Sequence, residues 1–418
     1  MLPATSRDTI LPWMAGGLPG EHKPKMNFHT ALASLIPQVV HLRHRLHGIP
    51  ELSDQEHKTA ALIRKELARA RIPFTAGVPD APTATIALIG DPTKPCVALR
   101  ADIDALPVEE ETSLDYASAH PGRMHACGHD GHTSILLGTA LILRECAAQL
   151  PVCVKLIWQP AEEIGGGARR MVESGVLDGR LGPPVRAIFG LHGWPTLPLG
   201  AVSTKPGPLL AATDSFAAAF VGRGCHGAYP HRGRDPIVAA CEAVLNLQQC
   251  VSRELDPTEP GLVTVGTIQG GTAVNIIPDS VQITGTVRSL APETRRLFRE
   301  SIERRCAGIA SAQDCRLQFE WIEGYPPTTN DPAMADYCAA TAKKTLGAEC
   351  FIPAARPSMG GEDFAYYLEK VPGCFFLLGV CPPGRDSYPS LHSSLYDFPD
   401  AAMEAGMKMF LSLVLNFS

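Results

Sequence analysis

The chain has 418 residues, of which 45% are hydrophobic and 19% charged, with 37 basic and 43 acidic side chains for a net charge of −6. That composition suits a globular protein of two or three domains at roughly 150 residues each, and the negative balance excludes a basic field for nucleic acid or an anionic membrane. No apolar run approaches the roughly 20 residues of a membrane span, and 38 Gly with 37 Pro are too few for a low-complexity chain.

Residues 1–27 carry Pro3, Pro12, Pro19 and Pro24 without apolar periodicity and read as a disordered leader. The apolar run at 10–14 is too short for a signal peptide, and Met26 is a candidate start codon. From 28 to 47, Leu32, Leu35, Ile36, Val39, Leu42 and Leu46 recur at helical spacing, and Pro50 ends the segment. Ser53-Asp54-Gln55-Glu56 has the form of a capping box, opening a second helix to about Arg71. Strand-like runs follow at 84–89 and 96–99, then a helix over 132–146, a strand over 153–158, a helix around 168–174 and a strand over 187–191. Strands alternating with helices predict an α/β fold with a mixed, mostly parallel sheet covered on both faces.

The pattern changes after Pro206. Strands at 215–221, 262–269, 280–289 and 316–322 and helices at 236–255 and 292–309 make a βαββαβ order, that of a ferredoxin-like α+β unit. After Tyr325 the α/β pattern returns, with helices at 332–346 and 400–415, a loop at 358–363 and a strand at 374–380. The chain therefore reads as a discontinuous domain, 28–210 and 325–418, interrupted by an inserted domain at 211–324. Thirteen cysteines, an odd number without any CxxC pair, read as reduced thiols of a cytoplasmic protein, not as a disulfide framework.

Three strand-like runs lead into metal-ligand residue types: Asp102-Ile103-Asp104, Glu162-Glu163 and His192. Ligands of open α/β sheets sit beyond the carboxyl ends of the strands, so these distant residues can converge. Between them lies His125-Ala126-Cys127-Gly128-His129-Asp130-Gly131-His132, dense in donors that suit borderline transition metals. Gly128 allows the backbone to fold so that Cys127 and His129 reach one centre. Of the adjacent carboxylates, a metal would take one and leave the other as a base. Packing or helix capping would explain the His-rich stretch less well, whereas His192 and His392, each alone, are as ordinary as core histidines.

These segments, with Arg45–Leu52, Gly224–Ala228, Asn275–Asp279, Gly360–Phe364 and Leu391-His392, resemble the dinuclear-metal N-acyl-amino-acid amidohydrolases. The branch is that of hippurate and indoleacetyl-amino-acid hydrolases within the aminoacylase/carboxypeptidase group. The resemblance runs in order from about Phe28 to the C-terminus and leaves out the leader. It implies a metallopeptidase-like catalytic domain with the insertion as lid and dimerisation domain, in a homodimer or higher oligomer. It implies two divalent ions per subunit, Mn²⁺ or Zn²⁺ with Co²⁺ or Ni²⁺ as further candidates, held by Cys127, His129, Glu163, His192 and His392. Glu162 would be the general base, Asp104 would orient a histidine ligand, and His226 would stabilise the tetrahedral intermediate, in relatives often for the partner subunit's site. Asn275, Arg288, Gly360 and Gly361 would hold the substrate carboxylate, the two glycines at a helix N-terminus. The wider group places His-x-Asp at the first strand end and an aspartate between the metals, where this chain has Asp102-x-Asp104 and Cys127. The implied reaction is hydrolysis of hippurate-like, N-acetyl or arylacetyl amides of amino acids. A carboxypeptidase or dipeptidase on the same scaffold, a non-catalytic metal protein and a Cys127 nucleophile are the competing readings.

Overall fold

The computed structural model describes residues 28–385 and 387–417, so the expectations for the leader and for Met26 lie outside the described residues. Helix α1 (Phe28–His47) buries the predicted stripe of Leu32, Leu35, Val39, Leu42 and Leu46. Helix α2 (His57–Arg69) begins later than the capping box implies. Ser53 Oγ instead donates to Asp104 at 2.7 Å, and the Glu56 carboxylate accepts from Asp54 N and Ala161 N, both at 2.9 Å. The free N–H groups at the start of α2 are taken by Glu51, whose Oε2 accepts from Lys58 N at 2.7 Å and Thr59 N at 2.9 Å. Glu51→Ala should therefore cost about 0.5–2 kcal/mol, the weight of a helix cap. Calorimetry would show this as a lowered Tm, largely restored in Glu51→Gln, which keeps an acceptor oxygen.

The chain continues through β1 (Phe74–Val78), β2 (Ala81–Ile89), β3 (Cys96–Asp102), α3 (His129–Glu145), β4 (Cys153–Gln159), α4 (Gly167–Glu173) and β5 (Val185–Pro198). Short strands β6 (Val202–Ser203) and β7 (Gly207–Leu210) lead into β8 (Ala212–Val221), β9 (Cys225–His226) and α5 (Pro236–Gln249). Then come β10 (Gly261–Gly270), β11 (Ile276–Ile277), β12 (Ser280–Ser289), α6 (Pro292–Ala312) and β13 (Arg316–Glu323). The last elements are β14 (Thr328–Asn330), α7 (Pro332–Leu346), α8 (Ala365–Leu368), β15 (Gly373–Cys381) and α9 (Ala402–Leu415).

The main sheet has the order β1-β2-β4-β3-β5-β15-β6. Its four inner strands, β4, β3, β5 and β15, run parallel, and the outer strands pair antiparallel. β3 and β4 are buried along their whole length, which explains their continuous apolar runs. One face packs against α1, α2, α3, α7 and α9, the other against α4 and α8. A second sheet, of order β10-β12-β8-β13 and antiparallel throughout, has its own core with α5 and α6 around Phe216, Phe220, Leu247, Phe298 and Ile302. That strand order is the ferredoxin-like one. None of the helices among the described residues is long and apolar enough to cross a membrane.

Three departures from the sequence reading bear on the site. Helix α3 starts at His129, not His132, because Gly128 turns the chain at φ +83°. Strand β5 does not end at Leu191 but continues to Pro198, since β15 goes on pairing with it after its pairing with β3 ends at Gly190. The segment after Gly360-Gly361 is not a helix start, for α8 has a single turn and begins at Ala365.

Candidate metal centre and active site

Each site segment is set by the sheet. Asp102 ends β3 and Asp104 follows it, Glu162 and Glu163 follow β4, and His192 lies on β5 two residues past its last pair with β3. Cys127 and His129 flank Gly128 at the start of α3. Gly128 has no room for a side chain, as a Cβ there would come within 2.9 Å of Phe398 and 3.1 Å of the Tyr396 hydroxyl.

Ala161 adopts φ +56°, a conformation that costs about 1–2 kcal/mol outside glycine. It is held there by Glu56 at its N–H and by Gly167 N, which donates to its carbonyl at 3.2 Å. This turn gives the two adjacent glutamates different further neighbours, although one oxygen of each still lies within 4.8 Å of the other and of His129. Glu163 Oε1 lies 3.8 Å from His129 Nε2 and 3.5 Å from His392 Nε2. Glu162 groups with Glu362 and Asp363 as well as with His129 and Glu163, and its Oε1 accepts from Asp363 N at 3.3 Å.

The hydrogen bonds of the histidines decide which can be ligands. His129 Nδ1 bonds the Asp104 carbonyl at 2.9 Å, leaving Nε2 towards the site. His192 Nδ1 bonds Gly193 O at 2.7 Å, leaving Nε2 at 3.3 Å from Cys127 Sγ. His132 has both nitrogens engaged: Nδ1 with Asp102 at 2.7 Å, and Nε2 accepting from Gly193 N at 2.8 Å. A histidine so tied has no lone pair left for an ion. Asp102 is equally spoken for, as its other oxygen accepts from buried Arg100 at 2.7 Å.

Two donor groups, Cys127–His129–His192 and Cys127–Glu163–His392, each have their ligand atoms within 4.8 Å of one another. Cys127 belongs to both, the arrangement that a bridging thiolate requires. The local electrostatics ask for cations. Burial and the charges of Glu163, Glu162 and Asp102 push the Cys127 thiol well up, so a thiolate needs a positive partner. Burial lowers His129, yet Asp102, Asp104 and Glu163 outweigh it and raise the imidazole to about 10. His129 Nε2 and Glu163 Oε1 are buried without a hydrogen-bond partner. Buried orphans are rare, and a divalent ion between them would satisfy both. The residues fit divalent metals.

A cavity of about 620 Å³ opens on this cluster. Cys127, Glu162, Glu163, His192 and His392 line it, as do Arg288, Gly360 and Gly361. Trp194, Ile322, Tyr325 and Phe375 supply apolar wall. His226 and Asn275 do not line it. His226 is exposed on β9, paired with β11, and Asn275 lies exposed beside it, its carbonyl accepting from Gly227 N at 2.7 Å.

A model of the peptidase family M20/M25/M40 matches residues 98–416. The chain belongs to that family. It is 42% identical over 354 residues to an N-acetyl-L-cysteine deacetylase of Bacillus subtilis, covering 84% of this chain and 82% of that protein. It is 39% identical over 383 residues to the IAA-amino acid hydrolase ILR1-like 4 of Arabidopsis thaliana, covering 91% and 85%. Among solved structures it is similar to the YXEP protein of Bacillus subtilis, described as a dinuclear metal binding peptidase of the M20 family. That likeness has a TM-score of 0.79 at 36% identity and covers 92% of this chain and 98% of the other. The chain is thus an M20-family hydrolase acting on amides.

Within this family member, four site residues escaped the sequence reading. Arg100 is fully buried and holds Asp102, Asp363 and Glu362 together. Its position before Asp102-x-Asp104 was visible, but no local rule assigns a charged residue to the inside of a central strand. Glu362 lies in Gly360–Phe364, one of the segments that carry the family resemblance, but local pattern gives it no role of its own. Tyr325, whose hydroxyl donates to Glu162 O at 2.9 Å, gives no distinct signal, and His132 stands in the His-rich stretch without a role of its own.

Proposed function

We propose that this protein hydrolyses the amide bond of N-acyl-amino acids to a carboxylic acid and a free amino acid. The observation that carries the reading is the pair of donor groups sharing Cys127, with Glu162 left out of both at the cavity wall. Two divalent ions per subunit, Mn²⁺ or Zn²⁺, would be held by Cys127, His129, Glu163, His192 and His392. When bound, they supply an acidified water and a polarised amide carbonyl. Asp104 orients His129 by accepting at its Nδ1 side. Glu162 takes a proton from the attacking water and hands one to the leaving nitrogen. Without metal, burial and the neighbouring charges of Glu362, Glu163 and Asp363 push its carboxyl well above the usual range.

Arg288 supports a substrate with a free carboxylate. Its guanidinium is half-buried at the cavity, donates to Thr286 Oγ1 and to Val287 O at 3.0 Å, and has no acidic group within ion-pair distance among the described residues. Arg grips a carboxylate with two parallel hydrogen bonds, which Lys cannot copy. Arg288→Lys should raise KM on the order of tenfold for a free acid. Turnover of the matching ester should change little, and equal losses on both would place Arg288 in the scaffold instead.

Residues 28–210 and 325–418 would form the catalytic domain and 211–324 a lid and dimerisation domain, in a cytoplasmic homodimer or higher oligomer. His226 and Asn275, exposed and away from this chain's own cavity, would then act in the partner subunit's site, His226 on the tetrahedral intermediate and Asn275 on the carboxylate. Gly360 and Gly361 would approach the substrate through backbone at the cavity wall. The test is amine release from a panel of N-acyl-amino acids and dipeptides after metal reconstitution. Faster hydrolysis of dipeptides than of N-acyl-amino acids would favour a dipeptidase and overturn the proposal.

A further inference from the structure

Behind the donor residues lies a buried cluster of charge with no part in the chemistry above. Arg43 of α1 is fully buried and donates to Asp130 at 2.9 Å, to Asp400 at 3.1 Å, to Tyr116 at 3.0 Å and to Asp397. One turn on, His47 bonds Asp130 at 2.8 Å and Glu110 at 3.2 Å. Tyr116 donates to Asp397 at 3.2 Å and stacks on His44, which bonds Asp400 at 2.8 Å.

Buried ion networks add little net stability, because desolvation offsets most of the attraction. This one joins four stretches of chain: α1, residues 110–116, the first turn of α3 at Asp130, and residues 390–400. The last stretch has no helix or strand, yet it carries His392, with φ +67° and a side chain 54% exposed. The other candidate donors stand on or beside regular elements, on α3, β5 and the end of β4. His392 N donates to Ala126 O at 2.9 Å, and buried Tyr396 and Phe398 fill the space over Gly128 and Gly131. Ser394 ties the stretch to Glu111, and its buried-side carboxylates, Asp397 and Asp400, both end on Arg43.

We propose that Arg43 is a positioning residue for the metal centre: by clamping Asp397 and Asp400 it orders residues 390–400 before any metal binds and presents His392 to Cys127 and Glu163. This rests on the reading of His392 as a metal donor. The cluster spans both donor groups, since Asp130 adjoins His129 while Asp397 and Asp400 follow His392. Loosening only the aspartates of the second stretch should therefore weaken one ion and spare the other.

Hydrogen exchange of the wild-type protein tests the clamp without any substitution. Amides of 390–400 should exchange at rates within about threefold of each other in metal-free and Zn²⁺-loaded protein. Protection that appeared there only on adding Zn²⁺ would show that the metal orders the stretch, and would overturn the proposal. Asp397→Asn with Asp400→Asn should speed exchange in 390–400 by about tenfold or more. Zn²⁺ titration of that variant should show one ion at least about tenfold weaker and the other unchanged, with kcat recovering at high Zn²⁺. Both ions bound within about twofold of wild type would overturn it. Should the double variant fail to fold, Asp400→Asn alone, which leaves Arg43 paired with Asp130, is read in the same way. His392→Ala separates the two readings. If it loses no ion, the donor assignment falls. If it loses one while the clamp variants lose none, the clamp falls alone.

Discussion

Glu162→Gln is expected to keep its metal content and lose about 10²–10⁴-fold or more in kcat, the usual weight of a positioned acid–base group. The side chains are nearly isosteric, and Gln can still accept from Asp363 N, so the local fold should stay. What disappears is a group able to hold a proton between the water and the leaving nitrogen. Glu163→Gln should do the opposite, weakening metal binding first, because Glu163 shares a donor group with Cys127 and His392 and Glu162 does not. Metal analysis beside steady-state kinetics on both variants checks this. Swapped phenotypes would reverse the two roles, and the turn at Ala161 would then have been misread.

Cys127→Ala should lose at least one ion per chain and cost activity on the order of a hundredfold or more, since loss of a mere outer partner of a ligand already costs 10–100-fold. The reason is that Cys127 is common to both donor groups, so one substitution thins both. A second measurement separates ligand from nucleophile. Chelation should abolish activity, and added divalent metal should restore it. A nucleophilic cysteine would predict activity that survives chelation. Full metal content with full activity in Cys127→Ala would remove the residue from the centre altogether.

The helices and strands were legible wherever a periodic apolar pattern was strong. α1, β12 and α7 have the ends read from sequence, at Phe28–His47, Ser280–Ser289 and Pro332–Leu346. β1 was missed because Phe74–Val78 is a short outer strand with mixed exposure and a register shift after Ala76. The capping box failed for a different reason. Ser53 and Glu56 have the right residue types for a local cap, but Asp104, Thr83 and Ala161 compete for them across the fold and win. Likewise the end of β5 depends on β15, a partner almost 200 residues further along the chain, which no local pattern reveals.

By itself the sequence determined the alternation of elements, the βαββαβ insertion, the donor types at the carboxyl ends of strands and the family those motifs resemble. These are properties of short stretches, where apolar spacing and residue chemistry act over a few neighbours. Only the tertiary structure decided which histidine nitrogens are free. His132 sits in the same His-rich stretch as His129, yet Asp102 and the Gly193 N–H occupy both its nitrogens. It also decided that adjacent Glu162 and Glu163 face different partners, and that Arg288 reaches the cavity while His226 and Asn275 do not. Such outcomes follow from strand register and from the competition of buried polar groups for a limited set of partners. Each must be satisfied where it lies, and where it lies is set by packing between residues distant in sequence.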